Sequence, residues 1–252
     1  MRLLPGTWSL LTGLVLSAGS LVAATPRRSP VRAPFEILTR RMDVDVDGAP
    51  NAYGPPGTRT LDVLKNAHYR GRKGAEIVGF LTDDDHPNVP VLQGAHDPYP
   101  GLYISQTAFT NPAIQDEKNM RRYVDATRIN YIVLGDEARR LGARLGDFVA
   151  VYSRRTHRSV YGIVGDDGNP SGNEGSLHLL QALGYPFHDG RDEAVERREI
   201  VVRFFPHSNP HDRFFRSQAA LDASAVQLGL SRDFSTSLLA MASHPKQSHP
   251  RD

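Results

Sequence analysis

The stretch Gly165-Asp166-Asp167-Gly168-Asn169-Pro170-Ser171-Gly172-Asn173-Glu174-Gly175-Ser176 carries carboxylates at both ends of a glycine- and proline-rich connector. Two carboxyl groups on one short connector can divide acid–base work. One protonates a leaving oxygen while the other activates water or attacks, which is the chemistry of glycoside cleavage. Asp and Gly also fill ordinary turns, and Asp or Asn near a helix start often serves only as a cap. The flanking elements therefore matter. An apolar run, Ser159–Val164, enters the connector as a strand, and Leu177–Leu183 leaves it as a helix. A second apolar run, Asp147–Ser153, precedes the polar link Arg154–Arg158, so the two runs read as a hairpin whose second strand delivers the chain to Asp166. A strand end fixes a side chain while the loop beyond it stays open to a substrate.

Around this hairpin, short strand-like runs alternate with turn signals: Ile77–Thr82, Pro90–Gln93, Gly101–Phe109, Ile129–Leu134 and Glu199–Phe205. Helical patterns are few, at Leu61–His68, Gly175–Leu183 and Gln218–Leu228. The spacing predicts a mainly β fold, a mainly antiparallel barrel or sandwich with a few short helices. A doubly wound fold needs helices after most strands and is excluded.

Met1–Ala24 reads as an export signal, with Arg2 ahead of a mostly apolar Leu10–Leu21 and small residues at Val22-Ala23-Ala24. That apolar stretch is short and interrupted by Gly13, Ser17, Gly19 and Ser20, which argues against stable membrane insertion. Thr25–Pro34 is a Pro- and Arg-rich linker, 35–230 the folded domain, and Ser231–Asp252, which lacks an apolar period, a disordered tail. The chain has no cysteine, so a hydrophobic core replaces disulfides and no thiolate serves as nucleophile or ligand. Lys plus Arg number 30 against 28 Asp plus Glu, and the cations are scattered, so nucleic acid is not an expected partner. Oligomeric state has no signal in the sequence.

Acidic residues do cluster. Asp43-Val44-Asp45-Val46-Asp47-Gly48 opens like a calcium loop, but its twelfth position is Gly54 where an EF-hand needs Glu; a calcium loop of another kind stays open. The same alternation fits a strand with Val44 and Val46 facing the core and Asp43, Asp45 and Asp47 on the other face, either lining a cleft for ammonium groups or solvated. The ten histidines form no zinc-type pair on a predicted helix, and Ser176 lacks the flanking glycines of a nucleophile elbow. No metal or cofactor is expected. Most aromatic residues along the strands are accounted for by packing, with Tyr103 the candidate sugar contact among them.

Several segments in order, Met42–Tyr53, Pro90–Gly94, Pro100–Thr107, Arg122–Ala126, Tyr131–Leu134, Tyr161–Asp166 and Glu174–Ser176, resemble glycoside hydrolase family 75, the chitosanases first recognised in fungi, and especially their bacterial relatives. The resemblance implies a secreted endo-acting hydrolase of β-1,4-linked glucosamine polymer that inverts the anomeric carbon through one Asp and one Glu. These fall on Asp166 as base, with Asp167 the alternative and Asp166 favoured because it directly follows Gly165, and on Glu174 as acid; Asp43, Asp45, Asp47, Asp167 and Tyr103 are read as substrate-side residues beside them. One departure is Gly172-Asn173 before the Glu, where relatives are expected to carry Ile-Gly or Val-Gly. The hairpin, acidic loop and short helix also look like the closing part of a double-psi β-barrel. That likeness supplies a second reading, a barrel that binds or cuts peptidoglycan strands, with or without catalysis.

Overall fold

The computed structural model describes residues 33–69 and 77–236. The expected export signal, nearly all of the linker and the tail beyond 236 lie outside the described residues. The strands are β1 (Phe35–Leu38), β2 (Met42–Asp45), β3 (Tyr131–Val133), β4 (Phe148–Ser153), β5 (Ser159–Asp166), β6 (Glu174–Ser176), β7 (Ala194–Val195) and β8 (Ile200–Phe205). Among the described residues three short α-helices accompany them, α1 (Asp136–Arg140), α2 (Leu177–Ala182) and α3 (Gln218–Gln227), with a 3-10 turn at Met120–Arg122. The fold is mainly β, as expected.

All eight strands belong to one sheet, ordered β1-β8-β4-β5-β3-β6-β2-β7, that curls into a half-barrel. Of the two expected arrangements, barrel or sandwich, the single curled sheet among the described residues is on the barrel side. The pairing is mainly antiparallel, as expected, with two parallel pairs, β2 with β6 and β3 with β5. Every residue of β4 is buried, as are five of the six in β8, so both faces of the centre are covered and the runs read as continuously apolar. β2 instead alternates, with Met42 and Val44 buried and Asp43 and Asp45 half-buried, and the pattern continues through Val46 and Asp47. One strand thus serves the core and an acidic cleft together.

The runs expected as strands at Ile77–Thr82, Pro90–Gln93 and Gly101–Phe109 meet only through isolated bridges, Phe80 to Ser105, Thr82 to Pro90 and Leu92 to Tyr103. Pro87, Pro90, Pro98 and Pro100 remove the N–H donors that a ladder would need. The segment is anchored by Phe80, whose ring lies 5.4 Å from that of Tyr53 and 5.0 Å from that of Tyr103. Leu61–His68, expected as a helix, is a run of turns. The Asp62 carboxylate accepts from Val63 N (2.6 Å) and Asn66 Nδ2 (2.7 Å), local bonds that compete with a helical ladder, and His68 takes a left-handed φ of 59°.

The tail expected to be disordered from Ser231 is packed at its start, because an aromatic side chain there finds a ring to cover. Phe234 is buried, its ring stacked 5.3 Å from Tyr152 with the Arg203 guanidinium 4.2 Å from its centre.

The turn after β2 depends on Gly48, at φ 76°, where a Cβ would stand 2.0 Å from the Val124 carbonyl oxygen. Gly48→Ala is expected to cost about 3 kcal/mol or more, from positive φ and overpacking together. Urea unfolding of the variant measures it, and an unchanged midpoint contradicts the geometry.

Candidate active site

Strand β5 ends in Asp166, and the connector that follows returns as β6, whose first residue is Glu174. Because β6 inserts between β3 and β2, its pairing sets Glu174 opposite Asp43 and Ser176 opposite Asp45. The acidic face of β2 is thereby carried to the acidic connector. Asp43, Asp45, Asp47, Asp62, Asp166 and Glu174 all line one cleft of about 970 Å³. Nine carboxylates border it against Arg41, Lys65 and Arg191, so the local field is negative although the whole chain is nearly neutral.

Asp45, Asp47 and Asp166 each place a carboxylate oxygen within 4.8 Å of the others. A cation meeting all three, an ammonium group or a metal ion, would offset their repulsion. Burial first, then the neighbouring carboxylates, pushes Asp45 and Asp47 well above the usual carboxylate range. Burial likewise raises Asp166 to about 7, against two backbone donors that favour its charged form. Those donors, Ala108 N and Asp167 N, both reach Oδ1 at 2.8 Å. Oδ2 has no hydrogen-bond partner among the described residues, which leaves one oxygen held and the other available.

Glu174 does not start a helix, as its place after the connector suggested. It lies on β6, and Ser176 caps α2 by accepting from Leu179 N at 3.1 Å. Burial raises its carboxyl, with the Asn169 side chain acting in the opposite sense. A raised pKa is what a general acid needs, and no helix cap holds this carboxyl ionised. Ser176 is buried, and its hydroxyl also donates to Ile129 O (2.8 Å) and accepts from Tyr131 N (3.1 Å), so it staples β6 in place and is no nucleophile.

Asp167 is separated from its neighbour by its partner. Arg139 Nη2 reaches its two oxygens at 2.7 and 2.6 Å, and the pair is partly exposed. Of the two aspartates, Asp166 is the buried one. Asp43 is likewise tied to a cation, Arg41.

The departure at Gly172 has a local reason. Its φ is 60°, and a Cβ there would come within 2.8 Å of the Gly135 Cα, so the connector folds back over the start of α1 with glycine facing glycine.

Tyr103, expected as a sugar contact, is 5 % exposed, packs on Phe80 and does not border the cleft. The cleft uses Tyr53 instead, which donates to Asp47 Oδ1 at 2.7 Å. Tyr53 and Asp62 were not singled out by residue type; the one sequence signal for Tyr53 is its place at the end of the Asp-rich segment.

No helix among the described residues is long and apolar enough to cross a membrane. Compared with known proteins, the chain matches no protein-family model and has no significant curated match.

Proposed function

We propose that this chain is an exported endo-acting glycoside hydrolase that cuts β-1,4-linked glucosamine polymer with inversion. The observation that carries the reading is the convergence of Asp45 and Asp47 on Asp166 and Glu174 in one negative cleft. Asp166 takes a proton from water through Oδ2 as the water oxygen bonds to the anomeric carbon. Glu174 gives its proton to the glycosidic oxygen as the bond from that oxygen to the anomeric carbon breaks. The products are a hemiacetal and a free hydroxyl. Asp166 is left protonated and Glu174 ionised, and exchange with solvent resets both.

Glucosamine ammonium groups beside Asp45 and Asp47 supply the countercharge that the free cleft lacks. Their arrival also lowers the pKa of Asp166 and readies it as a base. Substrate binding and base activation are therefore the same electrostatic event. An uncharged N-acetylated polymer brings no such countercharge, which places peptidoglycan and chitin behind chitosan.

The test is incubation of purified protein with chitosan, chitin and peptidoglycan. Chitosan viscosity is expected to fall well before much reducing sugar appears, with little change in the other two. A folded sample that leaves chitosan viscosity and reducing ends unchanged contradicts the hydrolase reading.

A further inference from the structure

Tyr53 stands between two carboxylates. Its hydroxyl oxygen lies 2.7 Å from Asp47 Oδ1 and 3.4 Å from Asp62 Oδ2. Both Tyr53 and Asp62 are buried, at 3 % and 6 % exposure. The Oδ1 of Asp62 is already occupied by Val63 N and Asn66 Nδ2, which turns Oδ2 toward the phenol. Gly79 covers the contact so closely that a Cβ there would meet Asp47 Oδ1 at 2.8 Å and Tyr53 Cε2 at 3.0 Å. The ring is held by Phe80, so the hydroxyl cannot swing away to find another partner.

A phenol has one hydrogen to give. When Asp62 is protonated, its own O–H donates to the Tyr53 oxygen and the Tyr53 hydrogen goes to Asp47, making an unbroken chain. When Asp62 is ionised, two carboxylates compete for that hydrogen. We propose that Tyr53 and Asp62 are positioning residues that act through Asp47, the protonation state of Asp62 deciding how firmly Asp47 is held toward the cleft.

The inference rests on the hydrolase reading for its effect on substrate, but its titration can be tested without turnover. Burial brings Asp62 to about 6, against the bonds from Val63, Asn66 and Tyr53 and the charge of Arg191. Arg191 is the cation acting on Asp62, while Asp45, Asp166 and Glu174 face Asp47 and Tyr53 from β2, β5 and β6; Lys65 and His68 border the same cleft. The transition therefore falls close to that of Asp166, raised to about 7.

The experiment compares the intact protein with Tyr53→Phe and Asp62→Asn. The amide of Asp62→Asn keeps an acceptor for Val63 and offers an N–H to Tyr53, imitating protonated Asp62 at every pH. Carboxyl carbons followed by NMR on aspartate-labelled protein are expected to show one aspartate titrating near pH 6 that is absent from Asp62→Asn. In Tyr53→Phe it moves up by about half a pH unit, because a donor to the charged form is gone. With soluble glucosamine oligomers, KM of the intact protein is expected to rise between about pH 5 and 7 more than that of Asp62→Asn, and Tyr53→Phe to raise KM about tenfold at pH ~5. Oligomer ionisation is common to all three proteins and cancels in the comparison. An Asp62 titration unmoved by Tyr53→Phe overturns the coupling, as does a KM of Asp62→Asn that follows the intact protein across this range. If the intact protein neither binds nor cleaves oligomers, the hydrolase reading fails and the NMR titration alone decides this proposal. Asp62→Asn keeps the proposal open to refutation should Tyr53→Phe not fold.

Discussion

Glu174→Gln and Asp166→Asn are each expected to lower kcat on glucosamine oligomers by roughly 10²–10⁴-fold while leaving oligomer binding measurable. Both substitutions keep the shape of the side chain and remove only the carboxyl group. In Asp166→Asn the acceptor for Ala108 N and Asp167 N survives as the amide oxygen, so the connector keeps its course. Asp167→Asn is the control. Its carboxylate is engaged by Arg139 at the partly exposed edge of the cleft, and its loss is expected to change kcat only a few-fold. Steady-state kinetics, with circular dichroism to confirm folding, separate the outcomes. A dead Asp167→Asn beside an active Asp166→Asn transfers the base to Asp167, whereas an active Glu174→Gln removes the mechanism.

The second large effect runs against the usual expectation that buried-residue substitutions destabilise. Asp45→Asn and Asp47→Asn are expected to raise thermal stability at pH 8 while raising KM for chitosan. The sign follows from linkage. Burial and like charge raise these carboxyls in the folded protein, so between the unfolded pKa and the raised value the folded state binds more protons. Stability then falls as pH climbs through that interval, and the full cost is present above the folded pKa. For Asp166, raised from 3.8 to about 7, the cost above neutrality is on the order of 4 kcal/mol. Asparagine in place of Asp45 or Asp47 removes one member of the repelling set, and each kcal/mol relieved raises Tm by about 2–4 °C in a chain of this length. Calorimetry at pH 8 and pH 4 checks the sign, since the gain must shrink at pH 4 where protonation has already removed the repulsion. A lower Tm at pH 8 would falsify the electrostatic account of the cleft.

Opposed effects on stability and KM also distinguish this cleft from an ordinary polar surface. A solvated acidic face gains little from neutralisation, because water screens its charges. Here the geometry concentrates repulsion where a bound cation would relieve it.

Much of the local structure was legible in the sequence because it follows from local rules. Alternation at Met42–Asp47 placed the valines inward and the aspartates outward, as the burial pattern shows. The two apolar runs around Arg154–Arg158 form the β4–β5 hairpin, and β5 delivers Asp166 to the connector. Helices α2 and α3 begin at Ser176 and Ser217, serines whose side chains accept from the first turn. These features need only side-chain periodicity and capping chemistry.

What only the tertiary structure decided involves partners far apart in the chain. Parallel pairing of β2 with β6 joins Asp45 to the far end of the connector at Ser176, and no residue-level pattern specifies that strand order. Leu61–His68 has helical spacing, but Asp62 is bonded to Val63 and Asn66 and lies beside Tyr53, so tertiary and side-chain bonds override propensity. Tyr53 and Tyr103 are both buried against Phe80, yet only Tyr53 lines the cleft, its hydroxyl on Asp47. Asp166 and Asp167 are adjacent and chemically identical, and the choice between them turns on Arg139, which approaches from α1 and holds only the second. Residue type supplies the acidic groups, but a carboxylate's proton depends on the burial and charge around it, and those are set by folding.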